Sequence, residues 1–164
     1  MTADTVGGVW TYALELSRGL ITRGWRVHLA TMGAPLSPHQ QAQAAALGRE
    51  LRLHPSGYKL EWMREPWDDL EQAARWLLAL EDEIRPRVVH LNQYFFGVLP
   101  FRAPTLMVAH SCVQSWWRAV HGESAPPSWD RYRECVGRGL AGASCVAAPT
   151  ESMLRSLHEN YAFD

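Results

Sequence analysis

A chain of 164 residues is long enough for one domain with a substantial core, burying roughly 70% of its unfolded surface. Sixteen basic and seventeen acidic residues give a net charge of −1, which excludes an electrostatic case for nucleic acid or a polyanionic surface as partner. Cys112, Cys135 and Cys145 form no C-x-x-C pair and leave an odd one, which fits reduced thiols in a cytoplasm and neither a disulfide frame nor a zinc site. No apolar run approaches the roughly 18 residues of a membrane span. No basic segment leading into an apolar one marks a signal peptide at the N-terminus.

Apolar spacing alternates between strand-like runs and helical stripes along the chain, the pattern of βαβ units around a parallel sheet. Met1 to Asp4 reads as half a strand. The first strand of a doubly wound sheet lies in its middle, so a truncated one leaves backbone groups of its neighbours unpaired. The expectation is that a few apolar residues added before Met1 stabilise the domain. Val6-Gly7-Gly8 then forms a turn into a helix whose face is Val9, Ala13, Leu16 and Leu20. Gly24 follows as a C-cap, and Trp25 to Thr31 reads as a strand.

Ser37-Pro38-His39-Gln40 carries the capping-box pattern, with Ser as cap, Pro at the first helical position and Gln reaching back. That helix is expected to run to about Gly48. Leu51 and Leu53 mark a short strand, and Leu60-Glu61-Trp62-Met63 is a candidate for another. Trp67, Leu70, Ala74, Leu77 and Ile84 mark a third helix, with acidic residues in its first turn and Pro86 beyond its end. Strands are expected at Val88 to Leu91, at Thr105 to Ala109 and at Cys145 to Ala148. Ser128 is expected to cap a helix carrying Trp129, Tyr132, Val136 and Leu140. Thr150 is expected to cap one carrying Leu154, Leu157 and Tyr161.

Open α/β sheets bind ligands at the carboxyl ends of their strands. That singles out Gly7-Gly8, the loop Asn92-Gln93-Tyr94, His110-Ser111 and Pro149-Thr150, all expected along one sheet edge. A glycine turn opening a helix presents backbone N–H groups and a positive dipole end to an anion; the same turn also serves as a tight connection with no ligand. Three motif classes are excluded. The turn is not G-x-G-x-x-G, and no acidic residue follows the second strand to hold a ribose. There is no G-x-x-x-x-G-K-[ST], and no G-x-S-x-G elbow.

His110 is the best polar candidate, since it directly follows the apolar strand Leu106-Met107-Val108-Ala109. Its imidazole can donate a hydrogen bond into a cleft, or it is simply a histidine satisfied by backbone at a strand end. His90, flanked by Val89 and Leu91, reads as structural. His110 and Cys112 lack a third ligand nearby, so no metal site is expected. Trp116 and Trp117 are adjacent and cannot share one helix face. Core packing of both is the plainer expectation; the alternative turns one inward and leaves the other facing the cleft.

Thr2-Ala3-Asp4-Thr5-Val6-Gly7-Gly8-Val9-Trp10 resembles the opening of family 4 glycosyltransferases, retaining enzymes of the GT-B fold. Val88-Val89-His90-Leu91-Asn92 is similar to their fourth-strand motif, and Val108-Ala109-His110-Ser111 to the strand ending in their donor-facing histidine. Ala147-Ala148-Pro149-Thr150 resembles the turn before the last helix of their N-terminal domain. The likeness covers essentially the whole chain in order and spacing.

The resemblance implies a Rossmann-like three-layer α/β/α domain, with a mainly parallel sheet, spanning 1–164. This would be the acceptor-side half of a GT-B enzyme, without the C-terminal donor-binding domain. It implies transfer of a sugar from a nucleotide-sugar to a carbohydrate, lipid or small-molecule acceptor, by an enzyme whose isolated half is inactive. Gly7 and Gly8 would meet the donor diphosphate, with Thr150 at a helix N-terminus facing the cleft. His110 would bond the donor sugar as the catalytic residue. Asn92, Gln93 and Ser111 would line the acceptor side. No metal or other cofactor is implied. The missing domain, or self-association through the exposed cleft face, would complete it. The expected place is the cytoplasm, or the periphery of the inner membrane face. A non-catalytic binding module or a truncated remnant is the alternative.

Overall fold

Parallel pairing links β1 (Thr2–Asp4), β2 (Val27–Met32) and β3 (Leu51–Pro55) in that order, with Ala3 opposite Thr31 and Leu29 opposite Leu53. A second parallel sheet runs β4 (Val89–Leu91), β5 (Thr105–Val108) and β6 (Cys145–Ala147), with Leu91 opposite Met107 and Val108 opposite Ala147. The computed structural model describes residues 1–161 and 163; the expected domain end at Asp164 lies outside them. The chain divides into two units, Met1–Leu60 and Glu61–Asp164, each with one sheet. It is an α/β protein with six helices among the described residues, consistent with a Rossmann-like GT-B half.

In the first unit α1 (Gly8–Ile21) joins β1 to β2. Its buried face is Trp10, Ala13, Leu14 and Ser17, so the stripe is rotated from the expected one; Val9 and Leu20 flank the core half-buried. Both polar groups on that face are satisfied. The Trp10 indole donates to Gln43 Oε1 at 2.9 Å, and Ser17 Oγ returns its hydroxyl to the Ala13 carbonyl at 2.6 Å. The helix is capped at Thr22, not Gly24; Gly24 lies beyond it with φ +82, in the left-handed region that glycine enters at low cost. β2 begins at Val27, since the Trp25 N–H donates back to the Leu20 carbonyl at 3.1 Å.

The capping box at Ser37 and Gln40 forms as the sequence predicts, opening α2 (Pro38–Ala45). A 3-10 turn at Gly48–Glu50 ends the segment, so the helix stops short of Gly48. The unit's core is Ala3, Trp10, Ala13, Leu14, Val27, Leu29, Ala44 and Leu51. β1 pairing extends one residue upstream: the Met1 amine donates to the His28 carbonyl at 2.8 Å, and the Ala30 N–H donates to the Met1 carbonyl at 2.9 Å.

The second unit opens with a correction. Leu60 to Met63 is not strand: Leu60, the last residue of the first unit, is irregular, Glu61 and Trp62 form a turn, and Met63 a bend. Adjacent Leu60 and Glu61 are both buried, against the alternation of a half-buried strand, and the Glu61 carboxylate is an acceptor described below. α3 (Trp67–Ile84) buries Leu70, Ala73, Ala74 and Leu77, with Asp68 and Asp69 in its first turn and a left-handed cap at Arg85. The Arg131 guanidinium lies 4.0 Å above the Trp67 ring.

α4 (Val113–His121) and α5 (Asp130–Gly142) lie between β5 and β6. Ser128 does not cap α5. Pro127–Trp129 winds as a 3-10 turn and Trp129 takes the cap position, since proline at 127 starts the turn early. Trp116 is 53% exposed and Trp117 half-buried, so core packing of both is ruled out. α6 (Glu151–Asn160) follows β6, and Thr150 caps it as expected, Oγ1 accepting from the Met153 N–H at 3.1 Å.

A glycine seam seats the 3-10 turn Tyr94–Val98 on α5. A Cβ on Gly97 would collide with the Gly139 carbonyl, and one on Gly139 with the Tyr94 carbonyl. A Cβ on Gly142 would lie 2.6 Å from the Gly97 carbonyl. Real side chains do not tolerate such approaches, so glycine here permits backbone-to-backbone packing. The seam fixes the segment that follows Asn92.

Candidate functional site

In the first unit the carboxyl end of β1 leads into the turn Thr5–Gly7, which is tied down on three sides. The Thr5 N–H donates to the Met32 carbonyl at 3.0 Å, and Thr5 Oγ1 reaches the Ala34 carbonyl at 2.6 Å. Gln40 Nε2 donates to the Thr5 carbonyl at 3.0 Å. The Val6 N–H donates to Asp4 Oδ1 at 3.1 Å. Burial raises the Asp4 carboxyl pKa to about 6, against a smaller opposing effect of that N–H bond.

Gly7 stands at the N-cap of α1 with φ +88, which only glycine adopts without strain. No side chain caps this helix and no acidic residue lies in its first turn. A Cβ at Gly7 or Gly8 would meet no atom within 4 Å. Both glycines are exposed. The turn is therefore open, with helix N–H groups and the positive dipole end directed outward, the arrangement that favours an anion.

In the second unit, three of the four sequence-predicted loops leave adjacent parallel strands at their carboxyl ends: Asn92 after β4, His110 after β5 and Thr150 after β6. His110 Nε2 lies 2.8 Å from Asn92 Oδ1, and His90 Nε2 lies 3.3 Å from the same oxygen. An amide oxygen only accepts, so both rings donate from Nε2. Each neutral imidazole is thereby fixed as the Nε2–H tautomer, and Nδ1 of His110 is an acceptor. The Nε2–H of His110 is thus directed to Asn92.

Burial lowers the pKa of His110. Burial also lowers that of His90, to about 4, with His110 adding to the effect and the Asn92 bond opposing it. Burial thus keeps the pair neutral near pH 7. His90 is buried within its strand as the sequence suggests, yet it also braces Asn92.

The structure does not join Gln93 to this trio. Gln93 is 3% exposed, and neither amide atom finds a partner among the described residues. Ser111 is exposed, and its carbonyl accepts from the Tyr94 hydroxyl at 3.1 Å. Cys112 Sγ caps α4, accepting from the Ser115 N–H at 3.3 Å. All three cysteines are free. Among the described residues no three His, Cys, Asp or Glu side chains gather as ligands for one metal ion. Among the same residues, no helix is long and apolar enough to cross a membrane.

Sequence reasoning gave no role to Asp4 or Glu61, and named Tyr94 only as part of the Asn92-Gln93-Tyr94 loop. The signals were present: an acidic residue ending an apolar strand, a lone carboxylate between Leu60 and Trp62, and a tyrosine in a loop already marked for ligand binding.

Comparison with known families decides the assignment. The profile described as Glycosyltransferase Family 4 matches residues 6–164. The chain belongs to glycosyltransferase family 4. The matched region is the N-terminal domain of such an enzyme, which assigns this family 4 domain a glycosyltransferase-type role. No curated protein matches the chain. The residues singled out above, from Gly7 to Thr150, all fall within the family 4 match.

Proposed function

We propose that this family 4 domain is the acceptor-side half of a retaining transferase that moves a sugar from a nucleotide-sugar donor to a hydroxyl acceptor. Alone, the half does not turn over. The observation that carries the reading is the grip of Asn92 Oδ1 on His110 Nε2 at the carboxyl ends of β4 and β5. A neutral imidazole held in one tautomer is suited to recognising a hydroxyl, because His110 Nδ1 can accept an O–H, which a protonated ring cannot.

In this reading the N–H groups at Gly7 and Gly8 bind the donor diphosphate, supported by the open, uncapped start of α1. His110 accepts from a hydroxyl of the donor sugar. Ser111 and Gln93 serve the acceptor, and Gln93's unpaired amide supports a polar partner for it. Thr150 sits at the start of α6 on the same strand-end edge as His110. The acceptor oxygen bonds to the anomeric carbon on the face the phosphate leaves. Its proton passes to the departing phosphate oxygen, so no protein base and no metal is needed. Stabilising the departing diphosphate lowers the barrier. The free thiols support a cytoplasmic setting.

The test is backbone and side-chain NMR of this chain during titration with inorganic pyrophosphate and, separately, UDP-glucose. The expected result is movement of the Gly7, Gly8 and Val9 amides with both, and of the His110 side chain with the nucleotide-sugar only. Silence at these positions up to millimolar ligand would remove the donor roles assigned here.

A further inference from the structure

Tyr94 connects two loops that leave the second sheet. Its backbone N–H donates to Glu61 Oε1 at 3.0 Å, and the next N–H, of Phe95, donates to Oε2 at 2.7 Å. Glu61 is 4% exposed. Hydrogen bonds to a carboxylate in such surroundings are strong, because water does not compete for the acceptor. The side chain of Tyr94 runs to the other loop, where its hydroxyl donates to the Ser111 carbonyl at 3.1 Å. Tyr94 is itself buried, and burial above all pushes its phenol pKa well above the ordinary value. The hydroxyl therefore remains a donor at any working pH.

His110 lies between two backbone anchors. Before it, the Ala109 N–H donates to the Ala147 carbonyl at 2.9 Å, continuing the β5–β6 ladder past its last paired residue. After it, the Ser111 carbonyl is held by the Tyr94 hydroxyl. Asn92, which takes the His110 Nε2–H, is two residues before Tyr94 in the same loop. One short segment, Asn92 to Phe95, thus holds both the ring and the backbone of the histidine loop. The glycine seam fixes this segment from one side and Glu61 from the other.

We infer that Tyr94 is a positioning residue for His110, and that the buried Glu61 carboxylate holds Tyr94 in register to act. The inference rests on the sugar-facing reading of His110 above. With the Ser111 carbonyl released, the loop turns, the ring hydrates and Nε2 loses its fixed acceptor. A tyrosine that only filled space would contribute stability and leave the ring's tautomer unchanged.

The experiment is long-range proton–nitrogen correlation of the histidine side chains in this chain, comparing the native protein with Tyr94→Phe and Glu61→Gln across pH. Phe keeps the ring and removes only the hydroxyl. Gln keeps one acceptor oxygen. Native His110 is expected as the Nε2–H tautomer. In Tyr94→Phe its titration midpoint rises by about half a unit or more and the two tautomers mix. Glu61→Gln shifts it the same way by less. Native-like amide shifts of α5 and β5, in the same unit as His110, report that the variant is folded. A His110 midpoint and tautomer unchanged in a folded Tyr94→Phe overturns the inference. Should that variant not fold, an unchanged His110 in Glu61→Gln overturns it equally. Loss or retention of sugar transfer on His110→Ala, in the complete enzyme, judges the sugar-facing reading separately from these spectra.

Discussion

Asn92 Oδ1 sits within hydrogen-bond distance of two imidazoles, 2.8 Å from His110 Nε2 and 3.3 Å from His90 Nε2. One amide oxygen therefore sets the tautomer of a strand-end histidine and of its buried neighbour together. Protonation at Nδ1 leaves these Nε2–H bonds in place and removes the Nδ1 acceptor, which ties the proposed hydroxyl recognition by His110 to pH.

His90 supplies the first prediction. Its folded pKa is about 4 against 6.5 for the unfolded group, so between these values the unfolded chain binds more protons. Stability contributed by the neutral ring is complete above pH 6.5 and is lost as pH falls toward 4, by about 3 kcal/mol at most. Asp4 acts in the opposite sense: its pKa rises from 3.8 to about 6, so its contribution declines as pH rises through that window. Thermal melts from pH 4 to 7 should show His90→Gln losing most of the acid-side slope. An unchanged slope removes His90 as its source.

The glycines divide into two classes with opposite expected effects. Gly139→Ala forces a methyl group into the Tyr94 carbonyl and should cost roughly 3 kcal/mol or prevent folding. Gly8→Ala enters open space at the first residue of a helix, so it should leave stability within about 1 kcal/mol of native or raise it. Its effect should appear instead as weaker pyrophosphate binding. Urea unfolding with a parallel binding titration separates the two.

Exposed apolar side chains on α4 predict self-association. Trp116 is 53% and Val120 56% exposed, one helical turn apart. The double change Trp116→Ser and Val120→Ser should shift the sedimentation profile toward monomer at high concentration. A native chain that is already strictly monomeric contradicts this.

The Met1 amine lies in the parallel ladder on the His28 carbonyl, and burial lowers its pKa from 8.0 to about 6. Between these values the unfolded chain binds more protons, so stability is gained as pH rises from 6 to 8. Acetylating the amine keeps an N–H donor and removes the buried charge. Melting temperature should rise most at and below pH 6, and addition of a few apolar residues before Met1 should act in the same direction.

The elements were legible because their signals are local. The Ser37-Gln40 box, the Thr150 cap and the α3 stripe depend on residues within a turn or two of one another. The boundary at Ser128 slipped because its neighbour Pro127 starts a 3-10 turn, and the buried face of α1 slipped where Trp10 makes a tertiary bond to Gln43. Asn92 and His110 were each legible as strand-end polar residues. Their mutual bond was not, because it joins positions 18 apart in sequence. Glu61 was hidden for the same reason, since its partners lie 33 and 34 residues away.

The most direct measurement is kcat/KM for sugar transfer by the complete two-domain enzyme carrying this domain, in the native form and as Asn92→Ala, His110→Ala and both. If Asn92 works through His110, each single change should lower kcat/KM by about 10- to 100-fold, and the double change should cost little more than His110→Ala alone. Full activity in His110→Ala, or losses that multiply in the double variant, would contradict a shared role for the pair.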